Sequence, residues 1–220
     1  MTNTPITNAS TKQIRIEYTD GAPLAADDPR GAMARAVQAA RAVLAQVDAD
    51  NAANPTPCSE WTALELAQHI VAVLDRAAAG PTDRDVPSMP LLADVPLDRL
   101  DEAALAAAER IHANWTDDSI LDRPIVVPWG EFPGAVVIGV YAGETIVHAW
   151  DLAVAIGVDL DWPEADVAVH FEMSKAGIPE DGRGPEMPFD PVFRPGDDAP
   201  LIHHLVGWQG REVDRWIAAR

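Results

Sequence analysis

Apolar residues recur at helical spacing through most of the chain, and strict alternation is almost absent. From Pro29 to Val47 a stretch of Ala, Arg, Gln, Leu and Val places Met33, Val37, Ala40, Val43, Leu44 and Val47 on one stripe, which predicts a first helix. The segment NAANPTPCSEW (51–61) carries Pro55 and Pro57 and reads as a loop. Thr62 and Glu65 then have the spacing of a capping box, opening a second helix that runs to Ala79 and stops at Gly80-Pro81. Its apolar face reads Leu66, His69, Ile70, Val73, Leu74 and Ala77, a core stripe with one histidine set into it.

A third helix is predicted over Leu97 to Trp115. Beyond it Ile125–Val127 and Trp129–Phe132 can pair as a small ribbon, limited by Pro124, Pro128 and Pro133. The most apolar stretch, Gly134 to Ile156, reads as a fourth helix closed by Gly157, and Pro163 to Ala176 as a fifth with proline in its first turn. Residues 178–200 hold Pro179, Pro185, Pro188, Pro191, Pro195 and Pro200 and should be irregular, before one last helix over Ala199 to Ala218. Near the start, Ile14, Ile16 and Tyr18 alternate weakly enough to suggest a short strand. The expected division is a flexible leader at 1–27, a helical bundle at 28–177 and a proline-rich extension with its terminal helix at 178–220.

At 220 residues the chain suits one all-α domain with a substantial core. Thirty-five acidic against 16 basic residues, a formal charge of −19, repel nucleic acid and anionic lipid surfaces. Cys58 is the single cysteine, so no internal disulfide forms. The amino-terminal residues have no apolar signal core, and no apolar run reaches membrane-spanning length. A cytoplasmic protein, monomer or homodimer, is the expectation.

Between Pro133 and Gly157 the side chains that ionise near neutral pH are Glu144, His148 and Asp151, spaced by four and three. That spacing puts all three on one helix face. A carboxylate in so apolar a helix costs several kcal/mol unless its charge is compensated, and a divalent cation is the simplest compensation. Glu144 and His148, one turn apart, can bind one metal, and His69 on the facing stripe is the candidate third ligand. Two imidazoles and one carboxylate leave a fourth position for water or substrate. Zinc is the expected ion, with nickel, iron, cobalt and manganese compatible with the same donors. Asp151, one turn beyond His148, is placed to accept the second ring hydrogen of His148. Taken singly, His69 also reads as a core histidine bonded to a backbone carbonyl, and E-x-x-x-H as a chance pair. Cys58 stands before the second helix, while His69 lies about seven helical residues into it, on the order of 11 Å along the axis. Cys58 is therefore read as a structural or capping residue, and Trp61 and Trp150 as core aromatics. His203 and His204 point apart on a helix, and His112 and His170 lack a partner at ligand spacing.

The segments TPCSEWTALELAQHIV (56–71) and GETIVHAWDLAVAIG (143–157) resemble the DinB-like superfamily, in its actinobacterial branch related to mycothiol-dependent maleylpyruvate isomerase. The resemblance rests on a T-P-C-x-x-W loop, a helix bearing a metal histidine, and a later helix with a carboxylate four residues before a histidine followed by W-D. It covers about residues 30–160, and more loosely the tail PFDPVFRPGDDAPLIHHLVGWQGR. It implies a four-helix bundle with metal ligands His69, Glu144 and His148. It also implies thiol chemistry, in which mycothiol is a cosubstrate bound at the open metal position and transferred to, or used to isomerise, a small electrophile. A metal-bound thiol is deprotonated at neutral pH and becomes nucleophilic. The tail is shorter and richer in proline than the second domain of the maleylpyruvate isomerases. A non-catalytic, metal-braced binding or stress-associated protein is the alternative function.

Overall fold

Helix α2 (Ala63–Ala79) starts where its capping box predicts: the Thr62 hydroxyl accepts from the Glu65 amide, and the Glu65 carboxylate accepts from the Thr62 amide at 2.8 Å. In the computed structural model, residues 11–18, 24, 27–184, 187 and 189–218 are described. Among them the order is β1 (Lys12–Ile14), α1 (Pro29–Leu44), α2, α3 (Leu100–Asn114), β2 (Pro124–Val127), β3 (Gly130–Pro133), α4 (Gly134–Ala155), β4 (Val158–Leu160), α5 (Glu164–Gly177), α6 (Leu201–Trp208) and α7 (Val213–Ala218). The protein is mostly helical, and its strands are short.

Helix α4 is the hub. α1 packs along one side of it, α2 lies against both α4 and α3, and α1 also reaches α3. The shared core is filled by Met33, Leu66, Ile70, Leu74, Tyr141, Ile146 and Trp150, all fully buried. Burial of this order, at about 25 cal/mol per Å² of apolar surface, is what holds helices that are individually marginal in water. The tight joint before α4 rests on Gly134, where a Cβ would lie 2.1 Å from the Ile120 carbonyl oxygen.

The ribbon β2–β3 is antiparallel, with Ile125 opposite Phe132, and Trp129 at its turn packs edge-on to Tyr141 of α4. Within the expected leader, β1 pairs in parallel with β4, Gln13 opposite Asp159. The leader residues 1–10, 19–23 and 25–26 lie outside the described residues. Two expectations about helix extent are corrected. α1 ends at Leu44 rather than Val47, because Asp48 closes an Asx turn by accepting from the Asp50 and Asn51 amides. The single last helix is two, α6 and α7, broken at Gly210 with φ +92°. No described helix is long and apolar enough to cross a membrane.

Candidate metal centre

His69 enters α2 two turns after its cap, on the face turned to α4, and is almost fully buried. Its Nδ1–H donates to the Leu91 carbonyl at 2.8 Å. That bond places a hydrogen on Nδ1 and turns Nε2, the nitrogen a metal would take from the neutral ring, toward Glu144 Oε1 at 3.6 Å. On α4, one turn past Glu144, His148 places Nδ1 3.2 Å from Asp151 Oδ2, so its ring hydrogen on that side is also committed. The His69 and His148 rings stand nearly perpendicular, centroids 4.8 Å apart. One ligand atom from each of His69, Glu144 and His148 falls within 4.8 Å of the other two.

With both imidazoles neutral, as metal ligation requires, two imidazole lone pairs and one carboxylate converge. Facing lone pairs repel, and a cation is the ordinary remedy. Two ligands on one tetrahedral zinc sit about 3.3 Å apart, close to the His69–Glu144 separation. The donor set fits a divalent ion. Burial opposes the charge on Glu144, yet a hydrogen bond from a protonated His69, with His148 and Arg76, holds its carboxyl below the ordinary range; a bound cation would take that proton's place. Burial likewise pulls the pKa of His148 down, against the pull of Asp151, and keeps the imidazole neutral and ligand-ready.

Behind His148 lies a layer of which the sequence pointed only to Asp151. Asp151 is fully buried and is gripped by Arg211, whose Nε and Nη2 donate to Oδ1 at 3.1 Å and Oδ2 at 2.7 Å. Burial pushes this carboxyl up, but Arg211 and His148 hold it at about 2. Arg211 stands 60 residues from Asp151, beyond any local spacing rule.

Cys58 also belongs to this layer. The loop folds back: the Thr56 hydroxyl lies 2.9 Å from the carbonyls of both Cys58 and Trp61, and the Trp61 amide donates to the Cys58 carbonyl. The thiol comes to 3.4 Å from Asp151 Oδ2 and 3.7 Å from His148 Nδ1. Cys58, His148 and Asp151 have ligand atoms as close together as the first group. Arg211, already paired with Asp151 and 3.8 Å from the sulfur, puts a fixed positive charge where a second cation would sit. Burial and the Asp151 charge push the Cys58 thiol up, so it is a neutral donor rather than a nucleophile.

Trp61 packs half-buried against the edge of the core, as expected, and also lines the site: its ring is 4.3 Å from that of His69 and 6.3 Å from that of His148. Trp150 is a core residue, fully buried. His203 packs toward Trp150 and His204 toward Phe171, pointing apart. His112 is exposed on α3, and His170 is buried on α5.

Residues 33–153 match the family model described as the mycothiol maleylpyruvate isomerase N-terminal domain. The chain belongs to this family. Cys58, His69, Glu144, His148 and Asp151 lie inside the matched span, and Arg211 lies outside it. Two uncharacterized proteins of Mycobacterium tuberculosis, from strains CDC 1551 / Oshkosh and ATCC 25618 / H37Rv, are each 34% identical over 189 residues, covering 84% of this chain and 99% of the relative. No solved structure matches the chain significantly.

Proposed function

We propose that α1–α4 form a DinB-type four-helix bundle holding one divalent metal, zinc in the first place, on His69, Glu144 and His148. The protein then uses that centre to transfer the thiol of mycothiol to a small electrophile, or to isomerise one through it. The observation that carries the metal reading is the convergence of His69, Glu144 and His148, whose ligand atoms lie within 4.8 Å of one another while Nδ1 of each histidine is engaged by the Leu91 carbonyl or by Asp151. The family match supports the choice of thiol.

Bound there, a divalent cation would supply Lewis acidity and a lowered thiol pKa. The chain's own residues do the rest. The Leu91 carbonyl and Asp151 aim the two imidazoles, Glu144 brings the negative charge that offsets the cation, and the Trp61 ring shields the His69 side from water. Three protein donors leave one position for the thiol. Cys58, held protonated beside Asp151, does not compete as nucleophile.

The test is metal analysis of purified wild type and His69→Ala, followed by thermal denaturation with mycothiol, glutathione or cysteine. One metal per wild-type chain, none in a folded His69→Ala, and stabilisation by mycothiol alone are expected. Stoichiometric metal in His69→Ala would sink the ligand assignment. Equal stabilisation by all three thiols would sink the assignment of mycothiol.

A further inference from the structure

Residues 209–213 make a sharp corner between α6 and α7. Gly210 turns with φ +92°, the Arg211 amide donates to the Val206 carbonyl at 3.0 Å, and Val213 is buried just beyond. The corner is tied to its surroundings as well: Arg183 Nη1 donates to the carbonyls of Trp208 and Asp190. From this fixed base the Arg211 side chain runs inward, its Nη1 donating to the Gln209 carbonyl while Nε and Nη2 take one carboxylate oxygen each of Asp151.

We propose that Arg211 is a positioning residue of the metal centre, carrying the carboxy-terminal corner into the geometry of His148. A carboxylate held by one hydrogen bond can rotate about its terminal torsion, which has a broad energy profile. One held by a guanidinium fork cannot, because the two parallel bonds fix its plane. With the plane fixed, Oδ2 stays 3.2 Å from His148 Nδ1, which leaves the opposite ring nitrogen as the one free to share a metal with His69 and Glu144. The Cys58 thiol, 3.4 Å from the same oxygen, packs beside the assembly. Asp151 alone, without the fork, would leave the imidazole free to turn, and a turned ring no longer shares a ligand sphere with His69. This inference rests on the metal reading above and assigns a residue outside the family-matched span to that site.

Titration of the full chain with Co²⁺, followed by its visible absorption and by competition with a chromogenic chelator, tests it. Wild type, His69→Ala, Arg211→Met and Arg211→Lys are compared, with far-ultraviolet circular dichroism to establish folding. Arg211→Met should weaken Co²⁺ binding by about 10- to 100-fold, the usual effect of losing an outer hydrogen-bond partner, and shift the absorption bands. Lysine keeps the charge but cannot pin both oxygens, so Arg211→Lys should fall between wild type and Arg211→Met. If Arg211→Met does not fold, Arg211→Lys decides. A folded Arg211 variant with wild-type affinity and spectrum, while His69→Ala binds no Co²⁺, overturns the role of Arg211 and leaves the metal reading standing. Failure of wild type to bind Co²⁺ overturns both.

Discussion

His170 shows how a buried histidine behaves when it is not placed among ligands. It is almost fully buried on α5, its Nε2 has no hydrogen-bond partner, and its ring packs so close to α4 that a Cβ on Gly143 would lie 3.0 Å from Nδ1. Burial lowers its pKa from 6.5 to about 4, against the charge of Asp166 one turn earlier. Asp166 is itself paired with Arg35 at 2.6 Å, which blunts its help. In the unfolded chain His170 takes a proton below pH 6.5, whereas the folded chain refuses it until about pH 4. Stability is therefore lost as the pH falls from 6.5 towards 4, about 3 kcal/mol in total from this group. Urea denaturation of metal-free protein at pH 7 and pH 4.5 should show a smaller loss in His170→Gln than in wild type. Equal losses in the two proteins would remove His170 as the cause.

At the scale of elements, the carboxy-terminal corner depends on glycines that a helical pattern conceals. Gly207 stays in α6, where a Cβ would meet the Phe193 carbonyl at 2.5 Å, while Gly210 breaks the helix and lies as close to Asp190, whose carbonyl would be 2.7 Å from a Cβ. Gly210→Ala combines a left-handed backbone with a backbone clash, and should cost about 2 kcal/mol or more. For a chain of this size that lowers Tm by roughly 4 to 8 °C. An unchanged Tm in a calorimetric scan would show that the corner relaxes freely. The same corner marks the limit of what the sequence discloses. α2 and α4 were legible because their signals are local: a capping box at Thr62 and Glu65, and a run from Gly134 onward in which Glu144, His148 and Asp151 stand out at helical spacing. The approach of His69 to that face also followed, since His69 lies on the one apolar stripe of α2 and the ionisable residues mark a single face of α4. Arg211 did not follow, because its pairing with Asp151 spans 60 residues and is made by a turn whose glycine also suits a helix end. The place of Cys58 beside His148 and Asp151 did not follow either, because it is set by the Thr56 hydroxyl folding the loop back and not by helical spacing.

On the scale of the whole molecule, α4 carries both the core and the candidate ligands, so metal binding and folding share one framework. α1, α2, α5 and α7 all pack on α4, the ribbon and β4 abut its ends, and the Arg211 fork fastens the last corner to it. A ligand held by His69 of α2 and by Glu144 and His148 of α4 bridges two of these helices. Bound to the folded chain in preference to the unfolded one, it would stabilise folding by RT ln(1 + [L]/Kd). Free zinc at 100 times its Kd contributes about 2.7 kcal/mol, which for this length corresponds to a rise in Tm of roughly 5 to 11 °C. Calorimetry in zinc against a chelator at neutral pH should show that rise in wild type and its absence in His69→Ala. The metal-free Tm of the two proteins separates the contributions further. Where the metal is the chief compensation for the facing acceptors, His69→Ala removes one of them and keeps its metal-free Tm near that of metal-free wild type, despite the small cavity left beside Trp61. A large fall in the metal-free Tm would instead make His69 a core residue bonded to Leu91, and a zinc-dependent rise that persists in His69→Ala would place the ion elsewhere in the molecule.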